Sequence, residues 1–196
     1  MTEFVLASNN KKKIAELEAI LSSKLPNVKI LSLADIGYTE EIIEDGKTFE
    51  ENAKIKASVP ARLGYIGIAD DSGLCVDALN GEPGIYSARY SGGGDDGNIN
   101  KILEKLKDIP YEKRTAKFVC TMCCVFPDGE SFCVKGEVQG IITEQRSGDG
   151  GFGYDPVFYY PPYGKTFSEM SKEDKNKISH RARAIEALAE RLEKLC

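Results

Sequence analysis

A single histidine, His180, stands in this chain of 196 residues. That excludes any metal site built from several histidines, and a Ser-His-Asp triad would have to run through that one residue. Long apolar runs are missing as well: nowhere do eighteen apolar residues follow one another, so no segment is expected to span a membrane. Met1 to Ser8 carries an acid at Glu3 and neither a basic leader nor an extended apolar run, so no export signal is expected. Positive charge is in deficit, with 26 basic residues against 31 acidic ones and a net charge of −5. A chain of that sign has no general attraction for DNA or anionic lipid, so any phosphate it binds must be held by a local cluster of donors. No linker, repeat or low-complexity tract divides the sequence. At 41% hydrophobic and 29% charged residues it has the balance of one globular domain, expected over residues 1–196 and in the cytoplasm. The six cysteines, Cys75, Cys120, Cys123, Cys124, Cys133 and Cys196, therefore read as reduced thiols.

What is present alternates between strand and helix patterns. Phe4-Val5-Leu6-Ala7 reads as a short buried strand, and Ser8-Asn9-Asn10 leads into a helix with Ile14, Leu17, Ile20 and Leu21 on one face. Thr48 and Glu51 have capping-box spacing and open a helix running to about Val59-Pro60. Tyr65 to Ala69 reads as a buried strand ending on two acids. A third helix is expected over Asn98 to Leu106, with Ile99, Ile102, Leu103 and Leu106 inward. Residues 115–126 and 131–138 alternate like paired strands about a two-residue Asp128-Gly129 turn, which would place Cys124 opposite Cys133. A helix from about His180 to Leu195 closes the chain. The expectation is one α/β domain with a mixed, twisted sheet and flanking helices.

Three tempting motifs fail on context. Gly164-Lys165-Thr166 ends like a P-loop, but Tyr159 stands where the first glycine belongs and Pro161-Pro162 stiffens the loop. The G-x-G-x-x-G spacing occurs at Gly148/Gly150/Gly153 and Gly92/Gly94/Gly97. The first runs into Tyr154-Asp155-Pro156, and the second carries Asp95 and Asp96, which repel a pyrophosphate. Cys120-x-x-Cys123 lies on a strand, where residues three apart face opposite ways.

Four segments carry the residue types of a chemical site. Ser8-Asn9-Asn10-Lys11-Lys12-Lys13 joins a strand to a helix N-terminus, where free N–H groups and the helix dipole favour an anion. Ala69-Asp70-Asp71-Ser72-Gly73 sets two carboxylates at a strand end. Alternation points one of them into a site and the other into supporting bonds, and such a group binds Mg²⁺ or takes a proton from water. Gly150-Gly151-Phe152-Gly153-Tyr154-Asp155-Pro156 offers an aromatic face on a backbone that a ligand approaches closely. Lys175, His180 and Arg181, near the last helix, are donors suited to carbonyl oxygens on a base. Together these segments describe a cation-dependent nucleotide site.

The same segments, in this order, resemble the inosine/xanthosine triphosphate pyrophosphatase family over nearly the whole chain. The match runs through Ser8-x-Asn10-x-x-Lys13, Thr48-Phe49-x-Glu51-Asn52-Ala53-x-x-Lys56-Ala57, Ala69-Asp70-Asp71-Ser72-Gly73-Leu74, Pro83-Gly84-x-Tyr86-Ser87-Ala88-Arg89-Tyr90, Gly150 to Pro156 and Ser179-His180-Arg181. The resemblance implies an elongated α/β fold with two lobes around a nucleotide cleft, a requirement for Mg²⁺, and a homodimer. It implies cleavage of ITP, dITP and XTP to the monophosphate and pyrophosphate. By position, Ser8, Asn9, Asn10, Lys11, Lys12, Lys13 and Lys56 would bind the triphosphate, and Asp71 would be the catalytic acceptor and a metal ligand. Ser72 would lie beside the substrate, with Phe152, Gly153, Tyr154 and Asp155 on base and sugar and Lys175, His180 and Arg181 on the base edge. In many relatives a second acidic metal ligand precedes the glycine before Thr-Phe. Ile43 occupies the aligned position here, Glu44 is the nearest acid and Asp45 the next.

Overall fold

The computed structural model describes residues 2–25 and 27–195, so the Cys196 thiol lies outside the described residues. The elements run β1 (Thr2–Leu6), α1 (Lys11–Lys24), β2 (Val28–Leu31), α2 (Phe49–Arg62), β3 (Ile66–Val76), α3 (Gly94–Leu106), β4 (Thr115–Val125), β5 (Ser131–Ile142), β6 (Phe158–Tyr160), β7 (Lys165–Thr166), α4 (Lys172–Ile178) and α5 (His180–Glu193). The seven strands are hydrogen-bonded in the order β2-β1-β3-β4-β5-β6-β7. β1 is parallel to β2 and to β3, whereas β6 is antiparallel to β5 and to β7, so the sheet is mixed, as expected. Among the described residues no helix is long and apolar enough to cross a membrane.

Two compact units divide the chain. The first comprises Met1–Asp71, Cys120–Gly136 and Arg183–Cys196. Within it, strand alternation sorts side chains between two cores. Phe4, Leu6, Ile68, Cys120, Met122 and Cys124 pack with Leu17 and Leu21 of α1 and Ile185, Leu188 and Leu192 of α5. Ala69, Cys123 and Val125 pack with Ala53, Ala57 and Ala61 of α2. Cys120 and Cys123 thus face opposite ways, as their spacing requires. Leu17 and Leu21 are fully buried, each worth roughly 1.5–3 kcal/mol, which fixes α1 behind β1. α2 seats closely because of Gly67: a Cβ there would overlap the Ala57 carbonyl oxygen.

The second unit comprises Ser72–Val119 and Glu137–Ala182. Its core joins Leu74 and Val76 of β3, Ile99, Ile102 and Leu106 of α3, and Phe118, Val138, Ile142, Phe158 and Phe167. Arg114 is buried here with its guanidinium donating to the carbonyls of Leu106, Ile109 and Thr143, so each of its three nitrogens is hydrogen-bonded.

Several sequence expectations change. β3 does not stop at Asp70-Asp71 but continues to Val76, because Leu74 and Val76 find a core to enter. α3 begins at Gly94, four residues early, with Asp95 and Asp96 in its first turn, where the dipole favours acids. Lys175 lies on a separate short helix, α4, which Ser171 caps by accepting from Asp174 N–H. The β4–β5 loop holds three residues rather than two. Phe126 N–H donates to Glu130 C=O, and Gly129 takes the left-handed conformation at φ 92°. The extra residue shifts the register by one, so Cys123 rather than Cys124 stands opposite Cys133. Those two form a disulfide with Cα atoms 4.1 Å apart, which corrects the expectation that all the thiols are reduced. Cys75, Cys120 and Cys124 lie outside that disulfide, and burial pushes the Cys124 thiol up to about 12, so it is inert near neutrality.

Candidate functional site

In the first unit, the β1–α1 turn is built by its own side chains. Asn10 caps α1 by accepting from Lys12 N–H at 3.0 Å and Lys13 N–H at 3.3 Å, and Asn10 N–H donates to Ser8 Oγ at 3.1 Å. Asn9 Oδ1 accepts from Ala34 N–H at 3.0 Å, which ties the turn to the segment after β2. Lys11 and Lys12 are exposed, whereas Lys13 reaches inward to Asp70, with 2.8 Å between Nζ and Oδ2. The Asp70 side chain is only 5% exposed and would be costly there without that ammonium.

The neighbouring carboxylate faces the other way. Asp71 shares its face with Ala69 and meets α2: Asn52 Nδ2 donates to Asp71 Oδ2 at 3.2 Å, and Lys56 Nζ lies 3.8 Å from Oδ1. Asn52 and Lys56 are four apart on one helix, so they occupy the same face. Lys56 Nζ also donates to Glu44 Oε2 at 2.6 Å, so two carboxylates converge on one half-buried ammonium. Ile43, at the position where an acid was expected, is 77% exposed and lines an open groove of about 640 Å³ along residues 38–46 and α2. None of Lys13, Glu44, Lys56 or Asp71 lines that groove. Glu44 therefore brings an acid to Lys56, and Asp45 lines the groove.

In the second unit a cavity of about 210 Å³ is lined by Ser72, Ser87, Asp95, Phe118, Phe152, Gly153, Tyr154, Asp155, Lys175 and His180, among others. Its walls are held by hydrogen bonds from backbone and side chains. Asp155, 2% exposed, accepts from Phe152 N–H at 2.9 Å and from Lys175 Nζ. Asp95 Oδ2 accepts from Gly153 N–H at 2.8 Å. Tyr154 Oη donates to the Ser87 carbonyl at 2.7 Å, and burial pushes its phenol well above the usual tyrosine range, so it remains a neutral donor. The Phe152 ring is 76% exposed, and Lys175 Nζ sits 4.3 Å from its centroid. His180 stacks on Phe118 with centroids 5.0 Å apart and planes 14° from parallel. Arg181, the next residue on α5, is not among the lining residues.

Sequence reasoning passed over Asn52, Ser87, Asp95 and Phe118 as site residues. Asn52 carried one usable signal, its spacing of four from Lys56 on a helix with a clear cap. Asp95 carried none, because its bond to Gly153 joins residues 58 apart. Among the described residues no group of three or more His, Cys, Asp or Glu is placed to enclose a metal. The donor set nevertheless suits Mg²⁺, which takes one or two protein carboxylates and completes its shell with phosphate and water oxygens. Asp71 and Glu44 already converge on a cation, the Lys56 ammonium.

A profile of the Ham1 family matches residues 4–191. The dITP/XTP pyrophosphatase of Leuconostoc mesenteroides is 50% identical over 97% of this chain and 96% of its own length. That of Geobacter sulfurreducens is 49% identical over 98% of this chain and 97% of its own length. The structure of the Staphylococcus aureus Ham1 protein superposes with a TM-score of 0.91 at 44% identity and covers 100% of both chains.

Proposed function

Because the chain belongs to the Ham1 family, we propose that it hydrolyses deaminated purine nucleoside triphosphates, ITP, dITP and XTP, to the nucleoside monophosphate and pyrophosphate. One observation carries the reading beyond its relatives' names. Consecutive residues of β3 take up two different chemistries: Asp71 meets Lys56, Asn52 and, through Lys56, Glu44, while Ser72 lines the cavity that holds Phe152 and Lys175.

The roles follow from the groups present. Ser8 to Lys13 supply hydroxyl, amide, ammonium and helix N-terminal donors for a triphosphate, and Lys56 adds a second ammonium. Asp71 accepts the proton of the attacking water, and the lysines stabilise the charge that develops on the departing pyrophosphate. Asp71 and Glu44 would hold Mg²⁺, which when bound supplies charge neutralisation on the phosphates. The Phe152 face stacks on the base, with the 153–155 segment against base and sugar.

Selectivity rests on donor and acceptor matching. Hypoxanthine and xanthine present a carbonyl where adenine presents an amino group, so Lys175, His180 and Arg181 bond the former and oppose a donor in the latter. The proposal includes a homodimer and action in the cytoplasm; light scattering of the purified chain tests the first. Phosphorus NMR of the products tests the reaction type. Inosine monophosphate with pyrophosphate is expected from ITP, and inosine diphosphate with phosphate would overturn the assignment.

A further inference from the structure

Asn52 is 2% exposed and both ends of its amide are engaged. Oδ1 accepts from Gly46 N–H at 2.9 Å, and Nδ2 donates to Asp71 Oδ2 at 3.2 Å. The two partners leave no choice of orientation: a backbone N–H requires the amide oxygen, and a carboxylate requires the amide nitrogen. With Oδ2 held, the other carboxylate oxygen is the one nearer Lys56. The same amide holds the loop just past Glu44. Lys56 makes a second link between that loop and Asp71, donating to Glu44 Oε2 at 2.6 Å and lying 3.8 Å from Asp71 Oδ1.

We propose that Asn52 is a positioning residue for hydrolysis, fixing Asp71 so that Oδ1 is presented for reaction and setting the spacing between Asp71 and the Glu44 loop. The role rests on the assignment of Asp71 made above. It differs from a packing role because it acts through one carboxylate, and its effect must vanish when that carboxylate is gone.

The test is a double-mutant cycle on the full chain, with ITP turnover, ITP binding in EDTA and thermal stability measured for each variant. Asn52→Leu keeps the branched shape, with somewhat more bulk, and loses both bonds. Asn52→Ala also loses both bonds without adding a charge beside Asp71, so it serves where the leucine variant does not fold. Each is expected to lower kcat by ~10-fold or more, the scale on which misplaced groups act, with KM and EDTA-state ITP binding within about 3-fold of the parent. In an Asp71→Asn background, Asn52→Leu or Asn52→Ala is expected to cost less than about 2-fold more. A further loss of about 10-fold in that background would overturn the positioning role, as would parental kcat in both single variants. An Asp71→Asn enzyme as fast as the parent would instead refute the assignment of Asp71, a separate failure read from a separate protein.

Discussion

Phe152→Ala separates binding from folding. Its ring is 76% exposed, so truncation removes little buried area. The backbone beneath it is held independently of the side chain, through Phe152 N–H to Asp155 and Gly153 N–H to Asp95. What the fold loses is the contact with Lys175 at 4.3 Å, on the order of 0.5–1 kcal/mol for an exposed cation–π pair. In a chain of this length that shifts the melting temperature by roughly 1–4 °C. What the substrate loses is a stacking face, ~1–3 kcal/mol per base, or roughly 5- to 150-fold in affinity. Titration calorimetry with ITP in EDTA reads the binding term without turnover, and thermal melting reads the other. Stacking is indifferent to base identity, so the preference for ITP over ATP should survive. Two results would refute the reasoning: ITP affinity within 2-fold of the parent, or a fall in melting temperature beyond about 10 °C, which would make the ring part of the core.

Further perturbations follow from the same geometry. Asp71→Asn is expected to lower ITP turnover by at least ~10²-fold in steady-state assays, the lower end of a general-base effect. Gly46→Ala puts a Cβ within 2.6 Å of Asn52 Oδ1 and is expected to displace that amide, so its kcat should fall in parallel with Asn52→Ala. Tyr154→Phe is expected to be about 1 kcal/mol less stable in urea melts at pH 7, because Ser87 C=O loses one donor but keeps Asn98 Nδ2. That gap should narrow above pH ~10, where the unfolded tyrosine ionises while burial holds the folded phenol neutral, so the parent alone loses this stability as pH rises. Arg181→Ala is expected to raise KM for ITP and to narrow the preference over ATP in competition assays.

The helices that place the site were legible where a cap or an apolar stripe marked them. Asn10 and Thr48 cap α1 and α2, and the facing leucines of α1 and isoleucines of α3 are buried as their spacing requires. α4 has no such stripe: Lys-Glu-Asp-Lys-Asn-Lys is polar all round, and a cap with one apolar residue is too little to announce a helix. β2, β6 and β7, at four, three and two residues, exist because a neighbour pairs with them, which no local pattern records. The opposite facings of Asp70 and Asp71 could be read from strand alternation alone. Their partners could not, because Lys13 and Asn52 arrive from helices whose seating depends on buried leucines and on the close approach at Gly67. One residue in a turn decided whether Cys123 or Cys124 met Cys133, and Asp128-Gly129 fits either loop length.

The most direct measurement is pyrophosphate release from ITP, XTP, GTP and ATP, each with Mg²⁺ and with EDTA. Release that needs the metal and strongly favours ITP and XTP is the predicted result. No release from any of the four, with ITP still bound, would leave a nucleotide-binding module and contradict the assignment of Asp71 as the proton acceptor. Equal release from all four would keep the chemistry and contradict the selectivity assigned to Lys175, His180 and Arg181.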